Sequence, residues 1–147
     1  MPGPLLLADD EATAALGRRL AAALKPGDLL LLQGDLGAGK TALARAIIRT
    51  LMADPGLDVP SPSFALVQPY EGKAESVLHT DLYRIRDPRE VDELGLFDRP
   101  ETIVLCEWPE QADAEFTRRA TGEVALSIPP SGLGRLATVM FTDERSF

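Results

Sequence analysis

Basic residues, cysteine, histidine and aromatic side chains are all scarce in this chain. It sets 15 Lys and Arg against 23 Asp and Glu, a formal net charge of −8. Affinity for a phosphate backbone rests on a surplus of Lys and Arg, so this deficit argues against an autonomous nucleic-acid binder. Any link to RNA requires a partner, and the acidity itself is read as solubility. The single cysteine, Cys106, cannot form an internal disulfide or a zinc site, and its place in an apolar run marks a buried, inert thiol. The only histidine, His79, is read as packed or hydrogen-bonded in a structural role. No apolar run reaches the length of a membrane span, since residues 29–32 and 102–106 have only strand length. The N-terminus also lacks the basic flank, apolar stretch and cleavage site of a signal peptide, so the expected location is the cytoplasm, with no membrane contact. An Asn/Thr-Lys-x-Asp guanine-reading motif is missing, which disfavours a GTPase of the usual kind.

What is present fits one domain over residues 1–147, with 45% hydrophobic and 26% charged residues, the balance of a soluble globular protein. Leu16, Leu20 and Leu24 recur at helical spacing, which predicts a helix over 9–24, capped by Asp9, Asp10 or Thr13 and ended by Pro26-Gly27. Residues 28–33 are apolar without polar alternation, as expected of a central strand covered on both faces. A Gly-rich turn follows, and then a helix over 41–52 with Leu43, Ala44, Ile47, Ile48 and Leu51 on its buried side. Residues 64–70 and 76–82 read as a strand hairpin around the turn 71–74, and 88–94 as a short helix. A second buried strand is predicted over 102–106, ending on Glu107, with late strands over 124–128 and 136–141. The expected class is α/β, a P-loop NTPase fold with a central mixed β-sheet flanked by helices.

The turn carries the most specific signal. Gly34-Asp35-Leu36-Gly37-Ala38-Gly39-Lys40-Thr41, followed by Ala42, satisfies Gly-x-x-x-x-Gly-Lys-Thr and lies between a predicted strand and a predicted helix, as a phosphate-binding loop requires. Its glycines let backbone N–H groups turn inward, so that they and the positive end of the following helix surround phosphates. Lys40 is expected to reach the β- and γ-phosphates, and the Thr41 hydroxyl to ligate magnesium. Hydrolysis needs in addition an acid to hold the metal and a group to place water. Asp81 and Glu107, each near the end of an apolar strand, are candidates for both roles, because open α/β sheets place ligands at that edge. Which of them holds magnesium stays open, with Glu107 favoured. Read without a ligand, both are plain strand-end acids.

Together these segments resemble the TsaE family, bacterial ATPases needed to make the threonylcarbamoyladenosine modification of tRNA. The resemblance is carried by the loop 34–41, Ser61-Pro-Ser-Phe64, His79-Thr-Asp-Leu-Tyr-Arg84, Glu90 with Leu94-Gly-Leu96, and Glu107-Trp-Pro109, over most of the chain. It implies ATP with magnesium, and work with TsaD and TsaB, of which TsaD carries the threonylcarbamoyl transfer; tRNA is then met only through the complex. It also implies function for Lys40, Thr41, Asp81 and Glu107, with Trp108 beside them and Ser63 in a nucleotide-sensing loop over 61–64. Ser63 stands where the family usually has Thr, and Ala42 where a second Thr often follows Thr41. The alternatives are a small-molecule kinase, which the Pro-Ser loop and hairpin after the P-loop helix disfavour, and an assembly module switched by ATP. The residues 84, 86 and 89 form an arginine run that reads either as a partner surface or as a solvated face paired with Asp87 and Glu90.

Overall fold

Four successive leucines, Leu29 to Leu32, leave a strand no wet face, and they lie in the middle of the sheet with all four side chains buried. The computed structural model describes residues 3–147. Along the chain run β1 (Leu5–Leu7), α1 (Asp10–Ala23), β2 (Leu29–Gln33), α2 (Lys40–Leu51), β3 (Val67–Glu71) and β4 (Ser76–Asp81). A 3₁₀ helix at Pro88–Leu94 leads to β5 (Ile103–Glu107), and a 3₁₀ turn at Pro109–Gln111 leads to α3 (Ala114–Arg118), β6 (Gly122–Ser127) and β7 (Arg135–Phe141). The sheet order is β1-β7-β6-β2-β5-β4-β3. Strands β6, β2, β5 and β4 are mutually parallel, and β1, β7 and β3 join antiparallel. The fold is therefore α/β with a mixed sheet. Parallel pairing has a functional consequence: Gln33, Asp81 and Glu107 all end their strands on one edge.

Side chains alternate across the sheet and build two cores. Leu30, Leu32, Val77, Ile103 and Leu105 face α1 and α2, where they meet Leu16, Leu20, Leu43, Ile47 and Ile48. Leu29, Leu31, Val104 and Cys106 face the other way, onto Leu82, Ile85, Val91, Leu96 and Phe116. Each such side chain removed from water contributes roughly 1.5–3 kcal/mol before the entropy of ordering is subtracted. Cys106 is fully buried, and burial pushes its thiol well above the ordinary value, as an inert packing group requires.

Most expected elements form within a residue or two. Asp9 caps α1 by accepting a hydrogen bond from the Ala12 N–H at 2.9 Å, and the helix ends before Pro26 and Gly27. The expected strand 64–70 is the clearest difference. It begins only at Val67, because the Leu66 N–H donates to the Pro62 carbonyl at 2.6 Å and closes a turn over the preceding residues. The helix expected at 88–94 is 3₁₀, capped by the Asp87 side chain and stopped by Gly95 in the left-handed region. Neither β1 nor α3 is foreseen in the sequence: three leucines after a proline, and a five-residue helix, carry no periodicity to detect.

The sheet edge away from the strand C-termini is closed by charge. Asp28, just before β2, accepts from the Lys25 N–H at 2.7 Å, from the Thr121 hydroxyl at 3.0 Å and from both terminal nitrogens of Arg145 at 2.5 and 3.1 Å. Arg145, whose side chain is 6% exposed, also donates to the Ala23 carbonyl and to Asp143, and it lies over the Phe141 ring. Removing one partner of a buried pair leaves the other charge uncompensated, at a cost of about 3–5 kcal/mol. Arg145→Ala is expected to lower unfolding stability by about that amount in urea titration, and a loss below about 1 kcal/mol would assign the pair to solvent-screened surface chemistry.

Candidate functional site

Beyond Gln33 the chain folds back over the sheet edge and enters α2. At Gly34 a Cβ would lie 2.5 Å from the Leu126 carbonyl oxygen, so only glycine lets the loop leave β2 against β6. Gly39, with φ 101°, is the N-cap of α2 in a conformation that costs other L-residues strain. Between them the Ala38 N–H donates to the Asp35 carbonyl at 3.0 Å, with Ala38 buried beneath the loop and Leu36 exposed at its tip. The first N–H groups of α2 have no partner inside the helix and carry its positive end. Lys40 bridges this loop from within. Its Nζ donates to the Gly34 carbonyl and, at 3.0 Å, to the Asp35 carbonyl, and it stands 4.0 Å from the centroid of the Trp108 ring. Burial lowers the Lys40 pKa from the ordinary lysine value; the nearby charges of Glu107, Glu110, Asp81 and Asp35 oppose that shift.

The two acids come from neighbouring strands. In the parallel register of β4 and β5, Asp81 stands directly beside Glu107. Period-two alternation puts both on the α2 side, since Val77 and Leu105 already face that helix. Glu107, 2% exposed, accepts from the Thr41 hydroxyl at 2.9 Å on Oε1 and 3.0 Å on Oε2, and His79 Nε2 lies 2.7 Å from Oε2. Asp81 accepts from the Tyr83 N–H at 2.9 Å. Its pKa is raised, first by burial and further by the charge of Glu107, with the Tyr83 hydrogen bond acting against the shift.

These groups face a cleft of about 420 Å³, within the range of small-molecule sites. Leu36, Gly37, Gly39, Lys40, Thr41, Ala42, Ser63, Asp81, Glu107 and Trp108 all line it, as does Ser61. Gly34, Asp35 and Ala38 do not; they shape the loop and hold Lys40. A larger groove of about 710 Å³ between α1 and α2 shares only Ala42 with the cleft and contains neither Lys40 nor the paired acids. The 61–64 loop is tied to the acid-bearing strand, because the Leu66 carbonyl accepts from the Asp81 N–H at 3.0 Å and from the Thr80 hydroxyl at 2.7 Å. Trp108 adopts φ 57° and packs against Tyr83 with ring centroids 4.8 Å apart.

Tyr83 and Arg84 also line the cleft. The Arg84 guanidinium stacks 4.1 Å from the ring of Phe64, which is 82% exposed, whereas Arg89 pairs with Asp87 at the surface. Arg135 donates to the Gly37 carbonyl at 3.2 Å from 98 residues away, and no local pattern signals it. Burial first, and the neighbouring Glu107 charge second, make an ionised Asp81 a cost to the fold. A carboxyl whose pKa rises on folding contributes stability that is present at low pH and is lost as pH rises through the folded-state value. Asp81→Asn is therefore expected to raise the thermal midpoint at about pH 7.5, and the gap over wild type should close as the pH falls toward about 4. A pH-independent difference in melting curves would exclude this origin.

Comparison with known proteins gives the family and the fold of the chain. Residues 7–131 match the family model described as threonylcarbamoyl adenosine biosynthesis protein TsaE. Relatives named tRNA threonylcarbamoyladenosine biosynthesis protein TsaE include that of Rickettsia felis, 41% identical over 107 residues, covering 72% of this chain and 62% of the relative. The Aquifex aeolicus protein of the same name is 35% identical over 107 residues, covering 73% of this chain and 77% of the relative. The match thus spans somewhat under two thirds of the length of the Rickettsia felis protein. In fold, the chain is similar to the crystal structure of YdiB from Bacillus subtilis, with a TM-score of 0.71 and 22% identity over 95% of this chain and 85% of that one. Matched over 125 of its residues, 7 to 131, the chain belongs to the TsaE family.

Proposed function

We propose that this protein binds ATP with magnesium and hydrolyses it slowly, and that it serves threonylcarbamoyladenosine modification of tRNA as a nucleotide-dependent partner of TsaD and TsaB. The observation that carries the reading is the contact between Thr41 and Glu107, which joins the hydroxyl of the glycine loop to a buried carboxylate on the neighbouring strand beside Lys40. The names of the relatives support the pathway.

The residues fit the ligands. Loop N–H groups and the start of α2 suit the α- and β-phosphates, and Lys40 can exchange its two carbonyl contacts for the β- and γ-phosphates. Magnesium is usually held by one or two carboxylates together with substrate phosphates and water. Thr41 and Glu107 match that demand, and among the described residues no cluster of three or more His, Cys, Asp or Glu offers an all-protein cage. Bound there, magnesium would neutralise charge on the phosphate oxygens. Asp81 stands beside Glu107, and its carboxylate accepts among the described residues from the Tyr83 N–H alone, which leaves it to orient the attacking water. Arg84 stands in the cleft wall with its guanidinium on Phe64, which suits slow turnover alone and acceleration by a charge or rearrangement supplied by a partner.

In the assembly, ATP under the 61–64 loop would hold a docking surface in shape and hydrolysis would release it. No described helix is long and apolar enough to cross a membrane. The test is complex formation with TsaD and TsaB in the presence of ATP, of a non-hydrolysable analogue and of no nucleotide, alongside tRNA modification over repeated cycles. The analogue should support assembly but not cycling; nucleotide-independent association with undiminished cycling in a hydrolysis-dead variant rules the switch out.

For the site itself, Lys40→Ala is expected to reduce turnover by about 100-fold or more, the scale seen when one preorganised charge-stabilising donor is removed. Thr41→Ala should raise the magnesium concentration needed for turnover. Glu107→Gln should weaken magnesium-dependent nucleotide binding, and Asp81→Asn should leave ATP bound and unhydrolysed. Normal hydrolysis in both acid variants would remove the two-acid site.

A further inference from the structure

We propose that His79 is a positioning residue: through Nε2 it fixes the Glu107 carboxylate on the Thr41 hydroxyl, and so sets how strongly that pair takes a divalent cation. The inference rests on the reading of Thr41 and Glu107 given above and extends it to a side chain that reaches no ligand.

His79 is 0% exposed and sits on the α2 side of β4, two residues after Val77 and two before Asp81. An ionised carboxylate only accepts, so the 2.7 Å contact has His79 Nε2 donating to Glu107 Oε2. Its other ring nitrogen, Nδ1, is buried with no hydrogen-bond partner among the described residues. A buried polar atom left without a partner costs about 1–3 kcal/mol. An apolar side chain at this inward position of a strand would carry no such cost, so packing alone does not account for a histidine here. What the histidine adds is the donor on Glu107.

That donor has a geometric effect. Oε2 of Glu107 accepts from both Thr41 and His79, whereas Oε1 accepts from Thr41 alone. A carboxylate offers about four acceptor sites, so Oε1 keeps the greater free capacity. Without His79 the carboxylate is held from one side only, by a hydroxyl that is itself expected to turn toward the cation. Groups that orient ligating carboxylates typically contribute 10–100-fold in metal affinity or activity when removed.

The experiment uses the full chain and measures binding of a fluorescent ATP analogue across a magnesium series and in EDTA, together with the thermal midpoint. His79→Leu and His79→Asn are compared with His79→Gln, whose amide can approach the position of Nε2, whereas that of Asn is too short to reach Glu107. Leu and Asn are expected to raise the magnesium concentration for half-maximal binding by about 10–100-fold while affinity in EDTA stays within about twofold, and Gln should recover most of the loss. The thermal midpoint of His79→Leu is expected to fall, because buried Glu107 loses one of its two donors, while the fold and nucleotide binding in EDTA are kept. Unchanged magnesium dependence in Leu or Asn overturns the inference, as does an equal shift in Gln, or loss of the fold in both Leu and Asn. Magnesium-independent binding by the wild type would instead overturn the metal reading of Thr41 and Glu107 and, with it, this one.

Discussion

A buried carboxylate is tolerated only when donors surround it, and Glu107 is the point at which that constraint organises the molecule. Three elements answer it. β5 carries the residue, α2 supplies the Thr41 hydroxyl and β4 supplies His79. The hydrogen bonds therefore do more than satisfy one charge: they hold the first residues of α2 against the edge of the sheet where the parallel strands end. The glycine loop is pinned at one side by Gly34 against the Leu126 carbonyl and at the other by Thr41 on Glu107.

The sheet is charged at both ends of β2 and uses the two ends differently. Before the strand, Asp28 is enclosed by Arg145, Thr121 and the Lys25 N–H, and its charge is matched. After the strand, Asp81 and Glu107 stand side by side with Lys40 nearby, and the raised pKa of Asp81 records incomplete compensation. The first arrangement holds the fold together. The second leaves a carboxyl of raised pKa at an open cleft, the kind of perturbed group that marks a candidate functional site.

Aromatic and basic side chains complete the cleft without closing it. Trp108 in the left-handed region presents its face to Lys40 and packs at a tilt against Tyr83, while Arg84 in the cleft lining stacks on the exposed ring of Phe64. The 61–64 loop is anchored through Leu66 to the backbone at Asp81, so a change at the loop is mechanically linked to the acid.

How much of this is legible without coordinates depends on the range of the forces involved. The α/β class, the helices α1 and α2, the buried strands β2 and β5 and the glycine loop are local: periodicity, capping by Asp9 and the spacing of Gly34, Gly39, Lys40 and Thr41 specify them within a few residues. β3 starts later than its apolar pattern predicts because the Leu66 N–H closes a turn on the Pro62 carbonyl, while the Leu66 carbonyl is held by the Asp81 N–H from a distant strand. The meeting of Thr41 with Glu107 joins residues 66 apart in sequence, and Arg135 reaches Gly37 across 98. Whether Glu107 or Asp81 faces Thr41 depends on the order and register of β2, β5 and β4, which no local pattern encodes. Sequence alone thus determined which residues carry charge and where the chain must turn. Only the tertiary structure decided which of those charges meet, because pairing across a sheet is fixed by the packing of all its strands at once.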